Sequence, residues 1–382
     1  MIEERMKAEP GANEREMSSE RSTGAARPFP LARLTLAVIV PIIVYASLRP
    51  FHGWRRPALG PLSVLDWNPG STTAFDMILN VVGYVPLGLC LALALYPRLR
   101  GARAFAVGAA VPALGSVLVE VLQVYLPGRM PSLWDVAMNV LGAIAGAALA
   151  VRMTAWLADH RGGGRHLRER WLVPGHLAEA GLIVLAAWFV ALFAQRTLLF
   201  GSGDWRGNLQ VSVDWSVAPL VYFATEVFVV AANLAAAGVV LRLVLADKAP
   251  RRALLLALVG AALLLRLIAQ IAFWEKQAVW QWISPPNVLG VVLGWALARA
   301  AFAVPARTAA LGAIALLVAA VAVVNIAPPD PAWWLRSPKR EVMLIGLALV
   351  ARYTSKGWPL AALVFLWLAM RRAGRVPQAR AG

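Results

Sequence analysis

The sequence predicts an all-α fold, a polytopic transmembrane helical bundle of about ten spans, and two observations support this. Apolar residues make up 60% of the 382 residues and charged residues only 15%, whereas soluble domains contain roughly half and a quarter. The charges are concentrated in short stretches between long apolar runs, which is how loops alternate with membrane spans. This composition excludes an ordinary soluble globular protein.

Each run of about 20 mainly apolar residues is long enough to cross a bilayer and is a predicted span. The last run, 342–371, is interrupted by Arg352 and Lys356. It predicts an interfacial helix at 342–353 followed by a crossing from Trp358, with two short crossings as the alternative. The nine clearer spans lie near 33–49, 74–96, 103–126, 133–157, 177–200, 217–245, 253–273, 286–304 and 308–327.

The distribution of Lys and Arg predicts the orientation of the spans. When alternate loops are assigned to opposite sides, the set that includes both termini carries about twice as many Lys and Arg as the other. Because cytoplasmic loops are enriched in these residues, we expect a multi-pass cell-membrane protein with both termini in the cytoplasm. These loops also account for the net charge of +17, so we expect membrane lipids as partners and no nucleic acid.

A short internal repeat predicts the domain organisation. NVLGAIAGAALA (139–150) recurs as NVLGVVLGWALA (287–298). The same offset superimposes the first four predicted spans on the next four, which predicts a parallel repeat of two four-helix units. The glycines of each copy are expected to let helix backbones approach closely. The predicted regions are a disordered cytoplasmic tail at 1–30, a first unit at 31–157, a basic cytoplasmic loop at 158–176, a second unit at 177–304, and C-terminal helices and tail at 305–382.

Three neighbouring spans of the first unit carry polar residues where apolar ones are expected. Each has a carboxylate and an amide three or four residues apart, which places them on one helix face. All lie towards the predicted outer ends of their spans. We expect them to converge with Arg129, from the loop between the last two of these spans, on a shallow outward-facing pocket. The pairs are Asp76 with Asn80, Glu120 with Gln123, and Asp135 with Asn139.

Two of these acids also match a purely structural pattern. Thr73 with Asp76, and Ser132 with Asp135, have the spacing of a capping box, in which the acid satisfies backbone donors at the start of a helix. Each aspartate taken alone therefore fits a cap as well as a binding site.

Glu120 has no such role open to it, because it lies inside an apolar span. An ionisable residue there is costly and is usually functional. Its structural alternative is an ion pair with Arg129. The amides of Asn80 and Asn139 have a structural alternative as well, since they could simply hydrogen-bond between helices.

The runs FDMILNVVGYVPLG (75–88) and EVLQVYLPGRMPSLWDVAMNVLGAIAG (120–146) resemble the VanZ-like family. The resemblance covers roughly residues 30–157, so the first unit is expected to be a VanZ-like membrane domain. It implies an integral membrane protein of the cell envelope with a link to glycopeptide (teicoplanin) resistance. Tyr84, where Phe is common, is a mild departure from the pattern. The matching positions are Asp76, Asn80, Gly83, Pro86, Glu120, Gln123, Pro127, Gly128, Arg129, Asp135, Asn139 and Gly142.

The second unit departs from this pattern. Glu226 falls near the place of Asp76, and Arg266 lies beside the place of Glu120. We expect these two residues to pair in the interior, with snorkelling of Arg266 to the surface as the alternative. Asn287 keeps the place of Asn139. The second unit is therefore predicted to be scaffold.

Three functions fit these residues. The first is a non-enzymatic protein whose pocket binds an amphiphile such as a lipid-linked cell-wall precursor, a lipid headgroup or a lipoglycopeptide. Arg129 would contact a phosphate or carboxylate, and the acids and amides would engage amines or hydroxyls. The second is an intramembrane enzyme with Glu120 as general acid/base and Asp76 and Asp135 positioning the substrate. The third is a proton-coupled transporter that uses Glu120 as carrier.

The sequence predicts neither a cofactor nor a metal. It contains no Walker-type loop, HExxH, CxxC or G-x-S-x-G motif. The weaker alternative is a divalent cation held by Asp76, Glu120 and Asp135 as hard oxygen ligands.

Overall fold

The computed structural model describes residues 29–48, 51–56, 74–126, 131–158, 168, 170–194, 197–206, 219–273, 279–327 and 345–373. Ten helices and no β-sheet are found in this part of the chain. Nine helices coincide with the nine clearer predicted spans, so the all-α prediction is confirmed. The helices are α1 (Pro30–Leu48), α2 (Ala74–Ala94), α3 (Gly101–Gln123), α4 (Leu133–Ala158), α5 (His176–Ala191), α6 (Pro219–Val244), α7 (Arg251–Phe273), α8 (Pro285–Ala301), α9 (Ala306–Ile326) and α10 (Ile345–Ala373).

Five of the described helices, α3, α4, α6, α7 and α9, are long and apolar enough to span a membrane. The outward faces of the bundle are apolar as well. On α3, Leu114 and Leu118 are 69% and 60% exposed, and they lie four residues apart on one face. An apolar face of this kind requires hydrocarbon rather than water around it. The helices are therefore those of an integral membrane protein.

Neighbouring helices are tied together at their ends. The Arg33 side chain donates from Nε to the carbonyl of Ala94 at 3.0 Å, which places the start of α1 beside the end of α2. In the second half, the backbone N–H of Val173 donates to the carbonyl of Val244 at 2.9 Å, which places the segment before α5 beside the end of α6. Helix α6 is the most enclosed of the five apolar helices.

The C-terminal run differs from the prediction. An interfacial helix at 342–353 and a separate crossing from Trp358 were expected, but one continuous helix, α10, covers 345–373. Pro359 lies within this helix and has no N–H to donate to the carbonyl of Ser355. The N–H of Gly203 donates to that carbonyl instead, at 2.9 Å. The predicted break was wrong, because one helix contains both Arg352 and Lys356 and a distant loop supplies the donor that Pro359 lacks.

An aromatic cluster holds this loop in the second half of the protein. Trp188 of α5 is fully buried. Its ring centroid lies 5.3 Å from that of Phe200 and 6.3 Å from that of Trp358 on α10. Stacked and tilted rings at this separation contribute beyond their buried area. The core thereby joins α5, α10 and the segment between α5 and α6.

Candidate functional site

Helices α2 and α4 approach closely because two glycines of α4 face the backbone of α2. A Cβ at Gly142 would overlap the carbonyl oxygen of Val81, and one at Gly146 would overlap that of Val85. The predicted packing role of these glycines is confirmed. This approach brings the polar side chains at the start of α4 within hydrogen-bonding distance of α2.

The first contact formed in this way joins Asn80 and Asp135. Nδ2 of Asn80 donates to Oδ1 of Asp135 at 2.7 Å, and the pair is partly buried. The capping-box interpretation of Asp135 was wrong. The hydroxyl of Ser132 does cap α4, by accepting from the N–H of Trp134 at 3.2 Å. The N–H of Ser132, however, donates to Glu120 rather than to Asp135.

Glu120 is a residue of α3, but its carboxyl accepts a hydrogen bond from the backbone at the start of α4. Its Oε2 accepts the N–H of Ser132 at 3.1 Å, and the side chain is only 4% exposed. The first N–H groups of a helix have no partner inside the helix. Glu120, on the neighbouring helix α3, is the acceptor for one of these N–H groups. This hydrogen bond fixes the position of α4 relative to α3.

A second layer of polar contacts lies one turn deeper. Nδ2 of Asn139 donates to Oγ of Ser116 at 2.9 Å. The hydroxyl of Tyr84 lies close to Ser116 and to the carboxyl of Glu120. Oδ1 of Asn139 is buried and has no hydrogen-bond partner among the described residues. It remains an acceptor for a donor from a bound molecule.

These six side chains form what we call the polar cluster. Each of the three helices contributes two residues four positions apart, and so on one face. Sequence reasoning missed Ser116 and Tyr84. Their spacing was the available signal, because each lies one helical turn from a residue that was singled out. The cluster consists of Asn80 and Tyr84 from α2, Ser116 and Glu120 from α3, and Asp135 and Asn139 from α4.

The other predicted site residues lie apart from these contacts or outside the described residues. Nε2 of Gln123 donates to the carbonyl of Ser47 at 2.9 Å and so ties the end of α3 to the end of α1. Asp76 lies in the first turn of α2, but its side chain is not among those described. Arg129, and with it the proposed ion pair to Glu120, lies in the undescribed segment 127–130. The predicted capping box of Asp76 with Thr73 also lies outside the described residues.

The metal alternative gains no support. Among the side chains that the structure describes, no three His, Cys, Asp or Glu residues lie close enough together to share a metal ion.

Replacing Glu120 tests whether it serves as an acceptor for α4. The Glu120→Gln variant retains an oxygen for the N–H of Ser132, so we expect its Tm to stay close to that of the wild type. The Glu120→Ala variant leaves this N–H buried without an acceptor, which costs about 1–3 kcal/mol. Thermal melting of both variants in detergent measures the difference. Equal destabilisation of the two would assign the effect to the charge instead.

Arg266 of the second unit neither pairs with Glu226 nor snorkels to the surface, which were the two expectations. Its guanidinium is hydrogen-bonded to backbone carbonyls instead. Arg266 is only 3% exposed, so it does not snorkel. Its guanidinium donates to the carbonyls of Leu192 and Ala194, both at 3.0 Å, and to that of Thr197 at 3.1 Å. These hydrogen bonds go to backbone carbonyls of the segment that follows α5, rather than to the carboxyl of Glu226.

Asn287 of the second unit makes a different hydrogen bond from Asn139, the residue at the matching position in the polar cluster. Its Nδ2 donates to the carbonyl of Trp282 at 2.9 Å, whereas Asn139 reaches a hydroxyl on another helix. Gly290 and Gly294 of α8 do face the backbone of α6 closely, as the glycines of α4 face α2. The internal duplication itself stays a prediction.

The comparisons with known proteins concern the part of the chain that holds the polar cluster. Residues 13–155 match the family model described as VanZ/LLP1. The match covers less than half of the 382 residues. No curated protein and no solved structure matches the chain significantly. The match of residues 13–155 to the VanZ/LLP1 model bears out the resemblance of this part of the chain to the VanZ-like family.

Proposed function

We propose that this protein is a multi-pass membrane protein of the cell envelope that binds the polar head of an amphiphilic ligand at the polar cluster. The supporting observation is the hydrogen bond between Asn80 and Asp135, which is only partly buried. The side chains of Glu120 and Asn139 in the same cluster are buried. Polar groups of this kind are expensive inside a membrane protein and usually mark a ligand or ion pathway.

The chemistry of the cluster favours a ligand rich in donors. The carboxyls of Asp135 and Glu120 are acceptors when ionised, and Oδ1 of Asn139 is an acceptor without a described partner. Amine and hydroxyl groups of a headgroup match these atoms. We assign Arg129, by its place in the sequence between α3 and α4, to a phosphate or carboxylate of the same ligand.

The apolar part of the ligand would lie in the bilayer outside the bundle, whose outward faces are apolar. A lipid-linked cell-wall precursor, a lipid headgroup and a lipoglycopeptide all have this combination of a polar head and an apolar part. Sequestration of a lipoglycopeptide at this position would connect the protein to glycopeptide resistance.

The enzyme and transporter hypotheses both require Glu120 to exchange a proton with the ligand. In the structure this carboxyl holds the N–H of Ser132, which favours a positioning role. Incubation of the reconstituted wild-type protein with a lipid-linked precursor distinguishes the hypotheses. Chemical turnover would support the enzyme, and flux that depends on a proton gradient would support the transporter. We expect saturable binding without either.

Binding by variants of the full chain tests the proposal directly. We expect Asp135→Asn and Arg129→Ala each to weaken binding by roughly 10-fold or more, because each removes a hydrogen bond to a charged group. Isothermal titration of the purified protein with each of the three ligand classes provides the measurement.

Asp247→Asn is the matched control, since this fully exposed acid lies between α6 and α7. It should bind as the wild type does. Unchanged affinity in both Asp135→Asn and Arg129→Ala, or no saturable binding by the wild type to any of the three classes, would refute the proposal.

A further inference from the structure

Two arginines from different helices reach the same short loop, which joins α8 to α9. Arg242, in the last turn of α6, donates from Nη2 to the carbonyl of Val304. Arg251 is the first residue of α7, and its Cζ lies 5.9 Å from the ring centroid of Phe302. The loop thereby brings the two guanidinium groups together, close enough to repel each other.

Each guanidinium keeps a donor that no acceptor satisfies. Nη1 of Arg242 and Nε of Arg251 are buried, and neither has a hydrogen-bond partner among the described residues. Nη2 of Arg251 does donate to Oδ1 of Asp247 at 2.5 Å, but the side chain of Asp247 is fully exposed, so this ion pair contributes little. Buried donors without acceptors are rare in folded proteins. An acceptor with a negative charge would satisfy both.

The surroundings of this pair are positively charged. The segments 242–252 and 299–307, all of whose residues are described, contain six cations and a single acid, Asp247. An isolated β-bridge between Leu172 and Leu245 brings the loop before α5 to the same end of α6. That loop contains four arginines and two acids between 159 and 175, so it adds further positive charge. The acids near the pair are therefore too few to neutralise it.

Arg251 also lies at the unfavourable end of its helix. The N-terminus of a helix carries a partial positive charge, which favours anions and disfavours cations. Arg242 ends α6, where a cation is favourable, whereas α7 begins with Arg251 and Arg252 and has no acid in its first turn. Unpaired backbone N–H groups at a helix start add to the attraction for an anion.

The length of α6 places this end of the helix at a membrane surface. Its 26 residues extend about 39 Å at 1.5 Å per residue, whereas the hydrocarbon core of a bilayer is about 30 Å thick. The last turn, with Arg242, therefore reaches the headgroup layer, and Arg251 follows beyond it. In the predicted orientation this is the cytoplasmic surface, where anionic lipids attract Lys and Arg.

We propose that Arg242 and Arg251 form a binding site for the phosphate group of an anionic lipid headgroup, at the surface where α6 ends and α7 begins. The phosphate oxygens would accept from Nη1 of Arg242 and from Nε of Arg251 and would relieve the repulsion between the two guanidinium groups. Hydrogen bonds between arginine and phosphate are among the strong ones. The site shares no residue with the polar cluster, so it does not depend on the function proposed above.

Lipid binding by the full chain in dodecyl maltoside tests this assignment. Native mass spectrometry would count retained lipids during titration with phosphatidylglycerol, with phosphatidylcholine as the zwitterionic comparison. We expect a saturable phosphatidylglycerol site whose affinity falls roughly fivefold in Arg242→Gln and in Arg251→Gln, and roughly 25-fold in the double variant. Phosphatidylcholine should not occupy the site at the same concentrations. Equal occupancy by the two lipids would overturn the proposal.

Inorganic phosphate distinguishes a lipid site from a site for the free anion. At a concentration equal to that of phosphatidylglycerol it should leave the lipid bound, because the acyl chains add apolar contacts that the free ion lacks. Complete displacement of the lipid under these conditions would overturn the assignment to a lipid.

Arg252→Gln is the matched control, since it removes the exposed arginine next to Arg251. Its affinity should stay close to that of the wild type. Equal losses in Arg252→Gln and Arg251→Gln would show only a diffuse positive surface and would overturn the proposal, as would wild-type affinity in the double glutamine variant.

The Tm of each variant is measured beside its affinity. If a glutamine variant melts well below the wild type, the double variant Arg242→Lys with Arg251→Lys carries the test instead. It keeps both charges but has fewer donors in fixed positions. We expect weaker binding of phosphatidylglycerol by this variant, and wild-type affinity would contradict the assignment of Nη1 and Nε as the donors.

Discussion

Replacement of Gly146 by alanine is expected to separate α2 from α4 and to destabilise the first unit. The added Cβ would overlap the carbonyl oxygen of Val85 and lie 2.8 Å from the N atom of Leu89. Both are backbone atoms, so no change of side-chain rotamer relieves the overlap. Overpacking costs about 1–3 kcal/mol, and we expect the upper end of this range. The Tm of the detergent-solubilised protein should fall by roughly 4 °C.

The matched control for this change is Gly83→Ala in α2. A Cβ at Gly83 would have no atom within 4 Å, and alanine is favoured over glycine in a helix by about 1 kcal/mol. The Tm of this variant should therefore stay the same or rise. Similar losses in Gly146→Ala and Gly83→Ala would show that α2 and α4 do not pack as described.

Replacement of Arg266 by leucine is expected to have a comparable effect on the second half. The change leaves the buried carbonyls of Leu192, Ala194 and Thr197 without the donor that now satisfies them. Hydrogen bonds to a charged group contribute about 1.5–3 kcal/mol each, so we expect a loss of roughly 3 kcal/mol or more. Thermal melting together with size-exclusion chromatography would measure it.

Arg252→Leu provides the comparison within the same helix, because Arg252 is exposed at the start of α7. Its Tm should remain near that of the wild type. Arg266→Lys should fall between the wild type and Arg266→Leu, since an ammonium can reach fewer of the three carbonyls than the guanidinium. A wild-type Tm for Arg266→Leu would contradict the role of Arg266 as the donor that satisfies these three carbonyls.

The helices were predictable because the apolar runs are long and the charges lie between them. The C-terminal run was the exception. Its charges predicted a break, but Lys356 lies against Trp205 of a loop about 150 residues away in sequence, and Gly203 of that loop donates to the carbonyl that Pro359 leaves without a partner. Periodicity along one helix carries no information about a partner so distant in the chain.

The candidate site was predictable at the level of helix faces but not of partners. Spacing placed Asp135 and Asn80 on faces that meet, and they do bond to each other. It also gave Asp135 the spacing of a cap, whereas the N–H of Ser132 is taken by Glu120 from another helix. Tyr84 and Ser116 were missed because a single hydroxyl in an apolar helix resembles ordinary packing until its neighbour across the helix interface is known.

The central claim is that the polar cluster at the meeting of α2, α3 and α4 holds the head of an amphiphilic ligand. An electron cryo-microscopy structure of the full chain in lipid nanodiscs tests this claim most directly. A lipid-linked cell-wall precursor, a phospholipid and a lipoglycopeptide would be added in separate samples. We predict density for a headgroup within hydrogen-bonding distance of Asp135 and of Oδ1 of Asn139. The claim would be contradicted if headgroup density appeared only elsewhere on the protein. In that case Asp135 and Oδ1 of Asn139 would contact protein atoms alone.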